Sequence, residues 1–194
     1  VQITDNNSNT YNLYETEPGV YTDSLLLGIQ NTYYTLVVSI DGDIITASSF
    51  MPIKVELDSL IYEKNPDIFQ DDLDNPRYQI RSNFTDPIGL GNYYQFKAYA
   101  DKSQEKGFVV LNDDLIDGLS TSYPLFQSEF SENDTVTVAL LSTAEFNFTY
   151  FNGLILSQSG DVPGNPISNF DNPKAVGYFS ASTKSTKTIV IFAN

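Results

Sequence analysis

Residues 33–47 constrain the fold most strongly, because they predict two strands joined by a tight turn. Apolar and polar side chains alternate from Tyr33 to Ile40, and residues two apart lie on the same face of a strand. Asp41-Gly42 follows, a dipeptide that favours the two-residue turn of an antiparallel hairpin. Asp43 to Ala47 then returns as the second strand. The pattern predicts an all-β protein built from antiparallel hairpins.

The turn signals in the first 50 residues separate five predicted strands. A sheet with one apolar face needs a second layer, so we expect further strands to precede Val1. The pattern breaks at Met51-Pro52, and a new alternation begins at Val55. These signals predict two domains, residues 1–53 and residues 54–194, of which the second is a larger antiparallel domain of the β-sandwich type.

One segment departs from the period of two and predicts a helix. Apolar or aromatic side chains recur there at spacings of four, three and four residues: Ala144, Phe148, Phe151 and Ile155. This spacing is typical of one face of a helix, and Ser142 with Glu145 has the spacing of a capping box. We predict a single helix over roughly residues 143–157, with its aromatic face against the sheet rather than against a ligand.

The absence of two residue types excludes several kinds of chemistry. The 194 residues include neither Cys nor His, so no thiol nucleophile, disulfide or imidazole-based triad is possible. A net charge of −15 argues against a nucleic-acid partner, which requires clustered Lys and Arg. No pair of carboxylates has a spacing that indicates a glycosidase. The sequence therefore predicts a binding protein without catalytic residues or a cofactor.

Two acidic stretches are candidates for a hard cation such as calcium, which oxygen ligands bind. Asp113 and Asp117 could meet on one turn and share a divalent ion. The alternative is that Asn112 or Asp113 caps a short helical turn that Gly118 ends, which needs no ligand. The acidic run from Ile68 to Asn75 is predicted as an exposed hairpin tip, with a cation loop as the less favoured alternative.

A proline-rich segment follows the predicted helix. Residues 161–181 contain three Pro and three Asn, which exclude a regular helix or strand interior and indicate a shaped connection. We predict that Asp161 to Pro173 crosses the surface of the second domain and leads to a strand beginning near Val176. Asn165 and Asn169 are the candidate partner contacts: if the segment binds a partner barrel, their replacement by Ala is expected to weaken binding with little loss of stability. The alternative is a purely structural crossover, for which the same replacements would lower stability and leave binding unchanged.

The order of several motifs resembles a known family. They are Phe84-Thr85-Asp86-Pro87 with Asn92-Tyr93-Tyr94, Asp113-Asp114 to Asp117-Gly118, the Tyr150-Phe151 helix, Asn165-Pro166-Ile167-Ser168-Asn169 and Gly177-Tyr178-Phe179-Ser180-Ala181. Over nearly its whole length the chain is similar to the Bacteroidetes lipoprotein family known as domain of unknown function 4249. The last motif is the most specific, although Asn172-Pro173 replaces the Gly-Gly that usually precedes it.

The resemblance implies a fold and a role. Members of the family have a lipidated N-terminal Cys, an immunoglobulin-like or transthyretin-like first domain and a second β domain, so the Cys and the opening strands are expected before Val1. The implied role is that of an outer-membrane, cell-surface lipoprotein accessory to a TonB-dependent transporter. The alternative is a free-standing carbohydrate-binding or adhesive module, whose sugar platform would use exposed aromatic residues such as Tyr93 and Tyr99.

The resemblance also implies a modification. Bacteria of this group O-glycosylate exported proteins at Asp followed by Ser or Thr and an apolar residue. Three tripeptides fit: Asp23-Ser24-Leu25, Asp58-Ser59-Leu60 and Asp134-Thr135-Val136. Ser24, Ser59 and Thr135 are therefore the expected glycosylation sites.

Overall fold

The computed structural model describes residues 1–65, 77–101, 104–126, 128–158 and 166–192. The predicted acidic tip from Ile68 to Asn75 lies outside the described residues. Strands and one helix account for the regular structure in these ranges. Every strand pairing described is antiparallel, which confirms the predicted all-β class.

The chain divides into two compact units, and each unit is built from two stretches of sequence. The first comprises Val1–Ile53 and Thr143–Thr183, and the second comprises Lys54–Ser142 and Lys184–Asn194. The chain first passes from one unit to the other after Ile53, where the sequence predicts a domain boundary. The structure differs from the prediction that all of residues 54–194 form the second domain, because residues 143–183 belong to the first unit.

The first unit contains a four-stranded sheet of order β2-β1-β5-β6 and a separate hairpin of β3 and β4. The strands are β1 (Gln2–Asp5), β2 (Thr10–Asn12), β3 (Tyr14–Glu17), β4 (Val20–Thr22), β5 (Thr32–Ile40) and β6 (Asp43–Met51). Asp41 and Gly42 join β5 to β6 with φ of 51° and 86°. Positive φ at both residues is what a type I′ turn requires, so the predicted hairpin is confirmed.

Residues far apart in sequence form the core of the first unit. Ile3, Tyr34 and Ala181 are buried together. The partly buried side chains packed against them are Leu13, Leu26, Leu36, Met51 and Phe179. Two of these eight residues come from the stretch after the helix, so the opening sheet depends on that stretch for part of its apolar cover.

The second unit contains two sheets, of order β10-β9-β12-β13 and β11-β8-β7. Their strands are β7 (Leu57–Lys64), β8 (Tyr78–Thr85), β9 (Tyr93–Ala100), β10 (Gln104–Asn112), β11 (Ser120–Pro124), β12 (Thr135–Thr143) and β13 (Thr183–Val190). One buried cluster includes Ile80 and Phe84 of the smaller sheet with Phe96 and Val138 of the larger. Side chains of two sheets that share a core define a sandwich, which confirms the predicted sandwich-type domain.

The predicted helix is present as α1 (Glu145–Gln158). The predicted capping box is wrong, because the Ser142 hydroxyl accepts a hydrogen bond from the backbone N–H of Val55 at 3.2 Å. Ser142 therefore lies within β12, where its buried hydroxyl bonds to the second unit instead of capping the helix. On α1 the rings of Tyr150 and Phe151 both contact Tyr178, with centroids 4.9 and 5.0 Å away.

Candidate functional site

The crossover segment, residues 166–181, is fixed to the first unit by side chains that bond to backbone groups. Asn169 is the central residue. Its Nδ2 donates to the carbonyls of Ser48 and Phe179 at 3.1 and 2.9 Å, and its Oδ1 accepts from the Phe179 N–H at 2.9 Å. Asn165, the other predicted partner contact, lies outside the described residues.

Asp171 forms a second attachment. Its carboxylate accepts hydrogen bonds from the N–H and the hydroxyl of Thr46 on β6, both at 2.7 Å, and its own N–H donates to the Thr46 carbonyl at 3.0 Å. These contacts, the Thr46 N–H first, lower the pKa of the Asp171 carboxyl below its ordinary value. The signal available in the sequence was only an Asp in a turn-rich stretch.

These attachments correct the predicted location of the segment. The described residues from Pro166 onward bond to β6 of the first unit rather than crossing the second, and the next strand begins at Thr183 rather than near Val176. The reason is physical: Asn169 and Asp171 satisfy backbone groups of the loop and of β6 at the same time. Asn169 is therefore a structural residue, and its replacement is not expected to leave stability unchanged.

The outward side of the crossover segment is apolar. Ile167 and Val176 are 83% and 82% exposed, and together with Pro166 and Phe170 they line a shallow cavity of about 320 Å³. A surface loop usually carries polar side chains and is mobile. Here large apolar side chains are presented on a loop that hydrogen bonds hold in one conformation, which is the arrangement of a preformed contact surface.

The carboxylate junction, formed by Asp86, Asp113 and Asp117, joins two loops of the second unit. One oxygen of each residue lies within 4.8 Å of the others. The structure thus brings together Asp113 and Asp117, as predicted, and adds Asp86, which the sequence analysis named only as part of a family motif. Three carboxylate oxygens at one point could contribute to a hard-cation site, although calcium takes six to eight oxygens.

Donors within the protein already occupy these carboxylates. Asp113 accepts hydrogen bonds from the N–H groups of Gly91 and Asn92 and from the Asn92 side-chain amide, at 3.1, 2.9 and 3.0 Å. Asp117 accepts from the Gly89 N–H at 2.6 Å. The alternative prediction was that Asn112 or Asp113 caps its own turn. Asp113 instead binds the facing loop through its side chain, while its carbonyl accepts from the Ile116 N–H.

Asp86 is buried and bonds to two groups. It accepts a hydrogen bond from the Tyr94 hydroxyl and another from the Gly118 N–H at 3.0 Å. Burial, followed by the bond to Asp86, raises the pKa of Tyr94 above its ordinary value, so the phenol stays protonated as a donor. Gly118 has φ of 69°, and a side chain there would meet Ile88. These contacts fix the geometry of both loops.

The same two loops present an apolar tip. Its members are all exposed: Ile88, Leu90, Leu115 and Leu119. Their backbones are tied together because the Asp86 N–H donates to the Leu119 carbonyl at 3.0 Å. The tip and the outward side of the crossover segment are therefore two separate apolar surfaces, one on each unit, and a test of either can use the other as its control.

The outward face of the larger sheet in the second unit carries a third feature, a shallow cavity of about 340 Å³. Lys97 and Tyr99 of β9, Thr137 of β12, and Lys184 and Thr186 of β13 line it. We call these five residues the lysine shelf. Tyr93 and Tyr99, the predicted sugar-binding aromatic residues, are six positions apart on β9 and so share its outward face. Both are half-buried rather than exposed as predicted, and Gln95 between them is buried.

The three expected glycosylation sites have different surroundings. Ser24 is exposed in the loop after β4. Ser59 is exposed on β7, where its hydroxyl accepts a hydrogen bond from Asn83 at 2.9 Å. Thr135 is half-buried at the start of β12. A glycosyltransferase needs an accessible and locally adaptable acceptor, and Ser24 meets this requirement best.

Comparison with known proteins gives one match. Residues 1–188 match the family model described as Domain of unknown function (DUF4249). No curated protein and no solved structure matches the chain. In the described part of the chain, α1 is too short to span a membrane, and no other helix is present there that could do so.

Proposed function

The chain belongs to the Domain of unknown function (DUF4249) family, and on that premise we propose that it is a non-catalytic accessory protein of a TonB-dependent outer-membrane transporter. In this proposal a lipid anchor holds the protein at the outer membrane, with its units exposed at the cell surface. The assignment to binding rather than catalysis is supported by the lack of Cys and His in the sequence.

The observation that carries the proposal is the apolar outward side of the crossover segment. Ile167 and Val176 are large, exposed and mounted on a loop that Asn169 and Asp171 fix to β6. Ordering a loop costs entropy when it binds. A loop that is already ordered does not incur this cost when it binds. More of the free energy gained by burying its apolar side chains therefore appears as affinity.

Gentle purification from the native source tests this proposal. The wild-type protein is expected to bring a large barrel protein with it, and a variant with Ile167→Ser and Val176→Ser is expected to lose that partner while keeping its melting temperature. Leu115→Ser is the control, because Leu115 is at least as exposed, at 91%, but belongs to the apolar tip. Retention of the barrel protein by the double variant, or loss of it with Leu115→Ser alone, would contradict the assigned surface.

A second candidate function is a free-standing carbohydrate-binding or adhesive module. The specific observation in its favour is that Tyr93 and Tyr99 share the outward face of β9, where aromatic rings can stack on sugars. The purification described above separates the two candidates, because a free-standing module would be recovered without a barrel partner.

A further inference from the structure

We propose that the lysine shelf binds an acidic carbohydrate, a sugar chain that carries carboxylate or sulfate groups. This inference deepens the second candidate function by naming the class of ligand, and it does not depend on a transporter partner. It rests on the cavity, on the charges at its rim and on the chemistry of its floor.

The cavity is built by the middle of a sheet rather than by loops. In the strand order β9-β12-β13, Lys97 and Lys184 lie on the two strands that flank β12. Adjacent strands are about 4.8 Å apart, so the two lysines begin about 10 Å apart on either side of the floor. A flexible ammonium group at each side can therefore reach an anion on one bound chain.

Lys97 and Lys184 place two positive charges at one cavity of an acidic chain. The chain carries 25 Asp and Glu against 10 Lys and Arg. Where lysines of the described chain form ion pairs, the pairs are Lys54 with Glu56 and Lys174 with Asp43. Neither Lys97 nor Lys184 forms one with a described residue. Two ammonium groups without ion-pair partners at one cavity of an acidic protein attract anions locally.

The remaining lining suits a sugar. Half-buried Leu141 and the almost fully buried Ala139 form the apolar floor of the cavity, and Leu141 can contact the C–H face of a pyranose ring. Tyr99 stands beside this floor, and its ring provides a further stacking surface. The hydroxyls of Thr137 and Thr186 provide donors and acceptors for sugar hydroxyls. Thr137 is held in place by a 2.9 Å hydrogen bond to Thr188 on β13.

Other anionic ligands fit less well. A nucleic acid or an anionic membrane extends well beyond the shelf, where the net charge of −15 would repel it, whereas a short acidic oligosaccharide can bind within the shelf alone. An acidic peptide could satisfy the two lysines but makes little use of the aromatic ring and the flat apolar floor. The combination of two cations, hydroxyls and a flat apolar surface therefore favours a sugar chain.

Direct titration of the full chain tests the proposal, with oligogalacturonate as the carboxylated probe, dextran sulfate as the sulfated probe, and dextran and polyglutamate as comparisons. Wild type is expected to bind at least one acidic glycan more tightly than dextran. Lys97→Gln with Lys184→Gln is expected to weaken this binding roughly tenfold. The control variant, Lys64→Gln with Lys174→Gln, loses the same two positive charges at positions outside the shelf. Its binding is expected to equal that of wild type.

The binding results distinguish a failure of this proposal from a failure of the second candidate function. Binding of neither acidic glycan, or equal binding by the Lys97→Gln, Lys184→Gln variant and wild type, would overturn the proposal. Binding of dextran alone would also overturn it while leaving the second candidate function standing. Polyglutamate binding that matches glycan binding and survives Tyr99→Ala would assign the shelf to acidic peptides instead. Recovery of a barrel partner is a separate measurement, so its outcome does not affect these results.

Discussion

Asp171 accepts hydrogen bonds from both the backbone N–H and the hydroxyl of Thr46, a residue 125 positions earlier in the chain. Thr46 in turn accepts the N–H of Asp171 through its carbonyl. The two residues therefore bond in the manner of paired strands, although only one of them belongs to a strand. This relationship holds the crossover segment against β6.

Replacing Asp171 by Ala is expected to lower the melting temperature, and the size of the effect should depend on pH. The folded-state pKa of Asp171 is lowered from 3.8, so its stabilising contribution is present above that value and is lost as the pH falls through the lower, folded pKa. The difference in melting temperature between wild type and Asp171→Ala should thus shrink below about pH 4. Thermal unfolding followed by circular dichroism from neutral to acid pH measures it.

Asp43→Ala is the matched control for that experiment. It removes a carboxylate near the same segment, but the 3.5 Å ion pair with Lys174 joins two exposed side chains and contributes little. We expect Asp43→Ala to leave the melting temperature close to that of wild type. An Asp171→Ala effect that does not exceed the Asp43→Ala effect, or that grows in acid, would contradict the assigned role.

Asn169→Ala should destabilise the protein by roughly 2 kcal/mol, because three hydrogen bonds are lost and backbone groups of Ser48 and Phe179 are left without them. Chemical denaturation measures the change. Asn172→Ala is the control, since the Asn172 side chain accepts one local bond from the Lys174 N–H. An unchanged free energy of unfolding in Asn169→Ala would restore the original view of Asn169 as a display residue.

Asp113 and Asp117 should differ in their effect on stability. Asp113 is buried and accepts three hydrogen bonds, so Asp113→Ala should cost roughly 3 kcal/mol. Asp117 is exposed and accepts a single hydrogen bond from the described residues, that of the Gly89 N–H, so Asp117→Ala should cost roughly 1 kcal/mol or less. Equal losses in the free energy of unfolding, measured by urea titration, would show that these hydrogen bonds do not determine how much the carboxylate junction contributes to stability.

Calcium is expected to leave the melting temperature unchanged relative to EDTA. The side-chain amide of Asn92 donates to Asp113 and also to the Gly89 carbonyl at 2.8 Å, and an N–H directed at these oxygens opposes a cation there. Differential scanning fluorimetry with each additive provides the measurement. A rise with calcium that disappears in Asp117→Asn would instead establish the carboxylate junction as a cation site.

Protein isolated from its native source should carry glycan first at Ser24. This serine is exposed in a loop, whereas Ser59 and Thr135 lie on strands β7 and β12. Intact-mass analysis of wild type, Ser24→Ala and Ser59→Ala should show that Ser24→Ala alone removes most of the added mass. A wild-type mass equal to that of the polypeptide would exclude the modification.

The sequence predicted local structure better than it predicted which unit a residue joins. The Asp41-Gly42 turn and α1 follow from short-range rules, a two-residue turn and a 3.6-residue period. The location of α1 in the first unit depends on contacts such as that of Phe151 with Tyr178. No local periodicity encodes that contact, so the helix was assigned to the domain that surrounds it in sequence.

In the candidate sites, too, the sequence predicted contacts between neighbouring residues but not contacts between distant ones. Asp113 and Asp117 were predicted to meet because they are four positions apart, but Asp86 joins them through pairing of distant loops. Asp86 precedes Pro87, and Asp-Pro already has an adequate explanation as a turn. Of the lysine shelf only Tyr99 was predicted, since Lys97 and Lys184 come together only through the strand order of a sheet.

The burial of Ala181 beside Ile3 and Tyr34 has a consequence for how the molecule is made. Ile3 is synthesised long before Ala181, so the core of the opening sheet cannot be complete until the chain has been made as far as residue 181. The last strand, β13, begins at Thr183 and completes the other unit. Neither unit can therefore be expressed as a contiguous fragment, and truncation before residue 181 should damage both units rather than remove one.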